Sequence, residues 1–328
     1  MRDCGHRRSL STNDCRPAEL TARVACFGIL VADVFVPPLH ELPAAGQLVA
    51  TDDFLVAPGG CAANVALALR RLEVPVAVAG RVGDDVFGEL VRRELEAQGV
   101  DTRGVRTTPG VGTSKTVVLS IAGEDRRFLH TFGANAAVTA DDLIDTADVI
   151  YVGGYLILPS VDPDALAERM HDARGRGSAV ILDVVAPTGA HPSLAALGRL
   201  LPHVDFFVPN HDEARAITGE DDPHRQAELL AEHGARTVMI KLGERGLYVL
   251  GEGGAFELEA PPVQVVDPSG AGDAFAAGLA LGLLEGRPLD ETARFASVLG
   301  ASACTALGCG AGVFTRDEAE AFLSEHSF

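Results

Sequence analysis

The chain has 328 residues, 47% of them hydrophobic, with 46 acidic and 27 basic side chains, a net charge of −19 and a pI near 4.8. That much apolar content sustains a sizeable core and excludes global disorder. The acidic balance argues against a general grip on nucleic acid or anionic lipid, so any phosphate site must be a local pocket. The length fits one large α/β domain with an appendage, or two domains.

Residues 1–20 are polar, carry Arg2, Arg7, Arg8 and Arg16, and lead into no apolar signal region. They are expected to form a flexible tail ahead of a domain over residues 21–328. The apolar run from Val24 is broken by Asp33, and no stretch reaches the ~18 apolar residues of a membrane helix. The six cysteines include no C-x-x-C pair, which suits free thiols in a reducing cytoplasm.

Beyond the tail, short β-branched runs alternate with helical patterns, as in a parallel sheet covered by helices. Strands are predicted at Val24–Leu30, Val76–Ala79, Val149–Val152, Val180–Asp183, Phe206–Val208, Val238–Leu242 and Leu247–Leu250. Helices are predicted at Ala62–Leu72, Val86–Gln98, Asp164–Arg174, Glu213–Ile217, Arg225–His233, Ala271–Leu284 and Leu289–Ala303, with Asp84 and Asp162 as caps. Two segments break the alternation. Residues 34–56 carry Pro37, Pro38 and Pro43 and no helical period, while residues 113–132 alternate in the manner of a hairpin with its turn at 122–125. Both are expected to form a small half-exposed sheet standing off the main one.

Several chemistries lack their motifs. Neither lysine, Lys115 or Lys241, follows a glycine, so there is no P-loop; no G-x-G-x-x-G follows the first strand, and the ten histidines show no zinc spacing. The informative stretch is Asp267-Pro268-Ser269-Gly270-Ala271-Gly272-Asp273, a glycine turn running straight into an apolar helix. The first amides of such a helix have no internal acceptors and form an anion hole. A carboxylate in the same turn repels a simple phosphate. It makes sense if Asp273 takes the proton of a hydroxyl that attacks the phosphate. The plain alternative is an ordinary first-turn acid.

Residues 267–280 resemble the second signature of the ribokinase-like (PfkB) carbohydrate kinases, and Gly59-Gly60-Cys61-Ala62-Ala63-Asn64 resembles the first, with Glu73 standing where Gly or Ser is usual. The resemblance runs from Val24 to the last helix. It implies a ribokinase-like doubly wound, mostly parallel sheet flanked by helices, with a small β-sheet lid at about 34–56 and 113–132. It also implies phosphorylation of a hydroxyl on a free sugar by ATP and Mg2+, with Asp273 as base and Gly270, Ala271 and Gly272 in the anion hole.

Asn210 and Glu213 match the N-x-x-E motif that holds Mg2+ through water. Lys241, Gly243 and Gly246 match a nucleotide-binding strand end, with Lys241 in place of the common Thr, and Gly308 falls in the adenine loop. Asp267 corresponds to a ligand of a monovalent cation such as K+, or to a turn cap. Asp33, Gly59, Gly60 and Asn64 correspond to the residues that hold the sugar. Family members also pair through the lid, so a homodimer is expected, with a small-molecule sugar as partner and neither nucleic acid nor membrane. Two rival readings stay open: a nucleoside kinase on the same scaffold, and a catalytically idle sugar-binding regulator.

Overall fold

The computed structural model of the protein describes residues 22–121, 127–186, 194–326 and 328. The expected tail and the turn at 122–125 lie outside them. In chain order the strands are β1 (Val24–Gly28), β2 (Val31–Leu39), β3 (Leu55–Gly59), β4 (Val76–Gly83), β5 (Asp101–Thr108), β6 (Lys115–Ile121), β7 (Arg127–Thr131), β8 (Val149–Gly153), β9 (Ala179–Leu182), β10 (Phe206–Phe207), β11 (Thr237–Lys241), β12 (Leu247–Gly251) and β13 (Gly254–Leu258). The helices are α1 (Cys61–Arg71), α2 (Val86–Ala97), α3 (Pro163–Gly175), α4 (Leu194–Leu197), α5 (His211–Thr218), α6 (Pro223–Glu232), α7 (Ala271–Glu285), α8 (Leu289–Ala303) and α9 (Arg316–Glu325).

The main sheet runs β13-β12-β11-β10-β9-β8-β1-β4-β5. It is parallel from β5 to β11 and antiparallel over its last two pairings. Every residue of β1 and β8 is buried, as expected of parallel strands covered on both faces. Helix α7 is apolar all round and buried through its middle. Its glycines let α8 come close: a Cβ on Gly278 would stand 2.7 Å from the Ala296 Cα, and one on Gly282 would stand 2.5 Å from Thr292. None of the helices formed by the described residues is long and apolar enough to cross a membrane.

The two irregular segments do meet in one small sheet, ordered β3-β2-β6-β7. Its outer pairs are antiparallel and the central β2–β6 pair is parallel. The register slips between Val36 and Leu39, where Pro37 and Pro38 supply no amide to the ladder.

The structure corrects several expectations. The first predicted strand ends at Gly28, and the chain passes through Ile29 and Leu30 into β2. Asp33 therefore stands on a lid strand, not at the end of the first main-sheet strand. Strands β5 and β13 and helix α9 went unpredicted. The first two are short of the β-branched apolar run that marked the other strands, because they close the two edges of the sheet. The cap of α2 is Asp85, not Asp84: its carboxylate accepts from the Gly88 amide at 2.9 Å and also from Thr113, at both Oγ1 (2.5 Å) and the backbone amide (2.9 Å). That side chain thus ties α2 to the root of the lid.

Candidate active site

The site gathers at the carboxyl ends of the parallel strands, where α/β sheets place their ligands. The N-cap of α7 is Gly270, in the left-handed region at φ 76°, and no side chain caps the helix. A Cβ there would stand 2.6 Å from the Cys309 carbonyl oxygen, so conformation and space both require glycine. The Gly272 and Asp273 amides have no acceptor among the described residues, leaving an open anion hole. Asp267 shapes the turn from below: its buried carboxylate accepts the Ser269 amide at 3.0 Å and the Gly308 amide at 2.8 Å, pinning the loop around Gly308 to the anion turn.

Around Asp273 the charges are unbalanced. Burial pushes its carboxyl up to about 7; a hydrogen bond from Asn64 opposes the shift, and Asp183 adds to it. Lys241, from the end of β11, sits 3.3 Å from Asp183 Oδ1, and its Nζ lies 3.1 Å from where a Gly272 Cβ would be. Burial alone would lower the ammonium, but Asp183, Glu213 and Asp273 outweigh it and hold it above its ordinary value. One fixed cation therefore faces three carboxylates beside the anion hole. Glu213 is likewise pushed up to about 7, by burial and then by Asp183.

Asn210 and Glu213 form a reciprocal capping box on α5: Asn210 Oδ1 accepts the Glu213 amide and Glu213 Oε2 accepts the Asn210 amide, each at 2.8 Å. The motif has a local reason to exist, yet it keeps one Glu213 oxygen turned from the cap. Among the described residues no group of three or more His, Cys, Asp or Glu side chains could hold a metal. The single carboxylate of Glu213 fits Mg2+, which retains several waters and takes one or two carboxylates plus phosphate oxygens.

The acceptor side meets this cluster directly. Asn64, buried on α1, donates from Nδ2 to Asp273 Oδ2 at 2.8 Å. Gly60, the N-cap of α1, has φ 88° and would put a Cβ 2.5 Å from the Ile29 carbonyl oxygen. Gly59 is required by contact rather than by conformation: its Cβ would fall 1.9 Å from Asp33 Oδ2. Asp33 is buried on the inner face of the lid. Burial pushes its carboxyl up to about 6 against a hydrogen bond from Thr116. Thr116 is its cross-strand partner and bonds in turn to His130, one strand further, at 2.9 Å.

A cavity of about 400 Å³ opens beside Asn64, between Phe35 and Leu55 of the lid, Leu67 of α1 and the loop at Leu307 and Cys309. Of the lid cations, Lys115 lies on the face opposite Asp33, donating to the Thr113 carbonyl and resting on the Phe87 ring. Arg127 also shares the opposite face, while Arg126 lies outside the described residues. Arg70 and Arg71, at the end of α1, also line this cavity and are cations that the motifs do not include. Arg71 lies two helical turns from Asn64, ~10 Å along α1.

The remaining glycines behave differently. Gly246 would clash at 1.9 Å with the Leu258 carbonyl oxygen, so it has a packing reason of its own. Gly243 and Gly308 have positive φ and open space around them. Asn135 is spent on both backbone groups of Leu30. Three members of the cluster had no assigned role in the motif reading. Asp183 had a usable signal, an acid closing an apolar parallel strand; Cys61 and Tyr151 had none.

Residues 21–316 match the pfkB family of carbohydrate kinases. The chain belongs to that family. Within it, the chain is 30% identical to a ribokinase of Bacillus subtilis over 86% of its length and 93% of the relative's. It is 32% identical to an ATP-dependent ribose-1-phosphate kinase of Halopiger xanaduensis, covering 81% and 86% of the two chains. The structure of Arabidopsis thaliana ribokinase complexed with ribose and ATP superposes with a TM-score of 0.77 at 24% identity, covering 93% and 99%. The fold is ribokinase-like, and the protein is a carbohydrate kinase.

Proposed function

We propose that this pfkB kinase transfers the γ-phosphoryl group of Mg·ATP to a hydroxyl of an unphosphorylated sugar, with Asp273 as the base. The observation that carries this reading is the 2.8 Å contact between Asn64 and Asp273. It joins the acceptor motif to a carboxylate standing in a free helix N-terminus. A sugar bound between Asp33, Gly59, Gly60 and Asn64 would present its hydroxyl to Asp273, whose carboxylate takes the proton as the oxygen attacks phosphorus.

The amides from Gly270 to Asp273 then hold the charge on the transferring group, a contribution of ~2.7–4 kcal/mol per donor in comparable holes. Lys241 would pair with the triphosphate, and Gly243, Gly246 and Gly308 would flank the nucleotide. Asn210 and Glu213 would hold the metal through water, and Mg2+ there would neutralise the β- and γ-oxygens. Asp267 serves the anion turn through the Ser269 and Gly308 amides, which supports the turn-cap role over a monovalent cation site. The buried Cys26 and Cys61 carry free thiols, which suits a cytoplasmic enzyme.

Charge supports an unphosphorylated acceptor: a second dianion needs a cluster of cations opposite Asp33, and among the described lid cations neither Lys115 nor Arg127 shares its face. A coupled ADP-release screen of pentoses, hexoses, nucleosides and sugar phosphates is the test. A free sugar should give the highest kcat/KM, and Asp33→Ala should raise its KM by ~10-fold or more, the loss of a charged hydrogen-bond acceptor. Sugar phosphates are the decisive competitors, because Arg70 and Arg71 also line the cavity beside Asn64. If they win, or if Asp33→Ala leaves KM unchanged, the acceptor assignment is wrong. No turnover with any acceptor would instead favour a sugar-binding regulator.

We further infer a homodimer through the lid. In register across the outer face of that sheet stand Val56, Val34, Val117 and Leu129. Leu129 is 64% exposed and Val56 37%. An apolar row on a small open sheet is an aggregation hazard unless covered, and a two-fold axis covers it with a second copy of itself. Light scattering at micromolar concentration should give twice the chain mass, and Leu129→Glu should halve it; a monomeric parent protein would overturn this.

A further inference from the structure

Residues 80–88 carry a glycine and acid pattern, Gly80-Arg81-Val82-Gly83-Asp84-Asp85-Val86-Phe87-Gly88, that the phosphoryl-transfer chemistry does not use. An N-cap needs only one side-chain oxygen on one helix amide, and Asp85 supplies it to Gly88. The same carboxylate takes two further donors from Thr113, the hydroxyl on Oδ1 at 2.5 Å and the amide on Oδ2 at 2.9 Å. The hydroxyl in turn accepts the Gly83 amide at 2.9 Å. Thr113, fully buried, is therefore held at once by the end of β4 and the start of α2. Lys115 completes the group: its Nζ donates to the Thr113 carbonyl at 2.8 Å and lies 3.8 Å from Asp85 Oδ2.

The glycines leave room for this junction. A Cβ on Gly83 would stand 2.3 Å from the Thr113 amide nitrogen, and one on Gly88 would stand 2.9 Å from Thr113 Oγ1. From Thr113 the constraint passes to the acceptor side in one step. The Ser114 carbonyl accepts the Ala32 amide at 2.9 Å, and the Ser114 hydroxyl donates to the Thr131 carbonyl at 2.7 Å. Strand β2 is thus tied to the root of β6 one residue before Asp33, and Thr116 stands opposite Asp33 in register.

We propose that Asp85 and Thr113 are positioning residues for the acceptor: their clamp fixes the root of the lid, and with it the place of the Asp33 carboxylate relative to Gly59, Gly60 and Asn64. This rests on the reading of Asp33 as a ligand of the acceptor. A small sheet standing off the main one can rock about its root, while a binding carboxylate must be placed to within ~0.5 Å. Bonds to both β4 and α2 remove that freedom where β6 enters the lid.

The test is steady-state kinetics of the full-length protein with Mg·ATP and its best acceptor. Thr113→Val keeps the branched shape and removes the hydroxyl. It should raise the acceptor KM by about three- to tenfold, the range for one lost hydrogen bond, with the KM for ATP within about twofold of the parent. Thr113→Ser should return the acceptor KM to the parent value. A merely structural clamp would behave differently: its loss would lower the melting temperature and the fraction of active enzyme, hence apparent kcat, and leave both KM values alone. That pattern would overturn the proposal, as would a Thr113→Ser variant no better than Thr113→Val. Should Thr113→Val not fold, Asp85→Asn decides. It keeps an oxygen for the Gly88 amide but turns an NH2 group on the Thr113 amide, so it should raise the acceptor KM alone; an unchanged KM refutes the clamp. Where both fold, the double variant should bind the acceptor no worse than the weaker single one, since the two changes remove one shared interaction; additive losses would show two independent effects. Failure of the underlying reading is distinct, because Asp33→Ala would then leave the acceptor KM unchanged.

Discussion

Asp273→Asn is expected to lower turnover by ~10²-fold or more while leaving ATP affinity near that of the parent, the lower bound for loss of a general base. The amide keeps the shape of the carboxylate and its contact with Asn64, but it cannot take a proton. The wild-type pH profile should rise to a plateau above about 7, where burial has placed the Asp273 carboxyl, and the variant should lose that limb.

Stability should move the other way. A carboxyl whose folded-state pKa is raised favours folding while protonated, and that contribution is lost as pH climbs from the ordinary carboxylate range through about 7. Above that range Asp273→Asn should melt no lower than the parent in thermal scans. The assignment fails if the variant turns over within a few-fold of the parent.

Lys241→Met should damage both stability and turnover. The ammonium is the only cation bonded to Asp183 among the described residues; the carboxylate otherwise has only the Val184 amide at 3.0 Å and the Tyr151 hydroxyl at 3.4 Å. Removing one partner of a buried pair leaves the other charge uncompensated, at a cost of ~3–5 kcal/mol. Thermal and urea unfolding should register a loss of that order.

Pairing the change with Asp183→Asn removes the stranded charge and should recover most of the stability, as coupled neighbours do in a double-mutant cycle. Turnover should stay low in both variants, because the cation facing the anion hole is gone. A single mutant as stable as the parent would show that Asp183 is not held by Lys241. A double mutant with full activity would show that the phosphates do not need the ammonium.

Much of this molecule is legible along the chain because its constraints are local. The alternation of apolar strands and helical runs specifies a parallel sheet, since each strand must bury both faces and each helix one. The glycine turn at 267–273 specifies an open helix N-terminus, because only backbone conformation is at stake there. The N-x-x-E pair is local as well: Asn210 and Glu213 close a box within a single helical turn.

What tertiary structure alone decides is everything that depends on contacts across the sheet. Asp183, some sixty residues from Lys241 and ninety from Asp273, joins them only because β9 and β11 end on the same side of the sheet. Gly59 is needed because a lid carboxylate passes within contact distance of it, and Gly83 because the root of β6 passes as close. The burial that moves Asp273 and Glu213 to about 7 belongs to no single segment. It arises when the carboxyl ends of several strands, the start of α7 and the inner face of the lid exclude water from one small volume, and a linear pattern of residues carries no record of that exclusion.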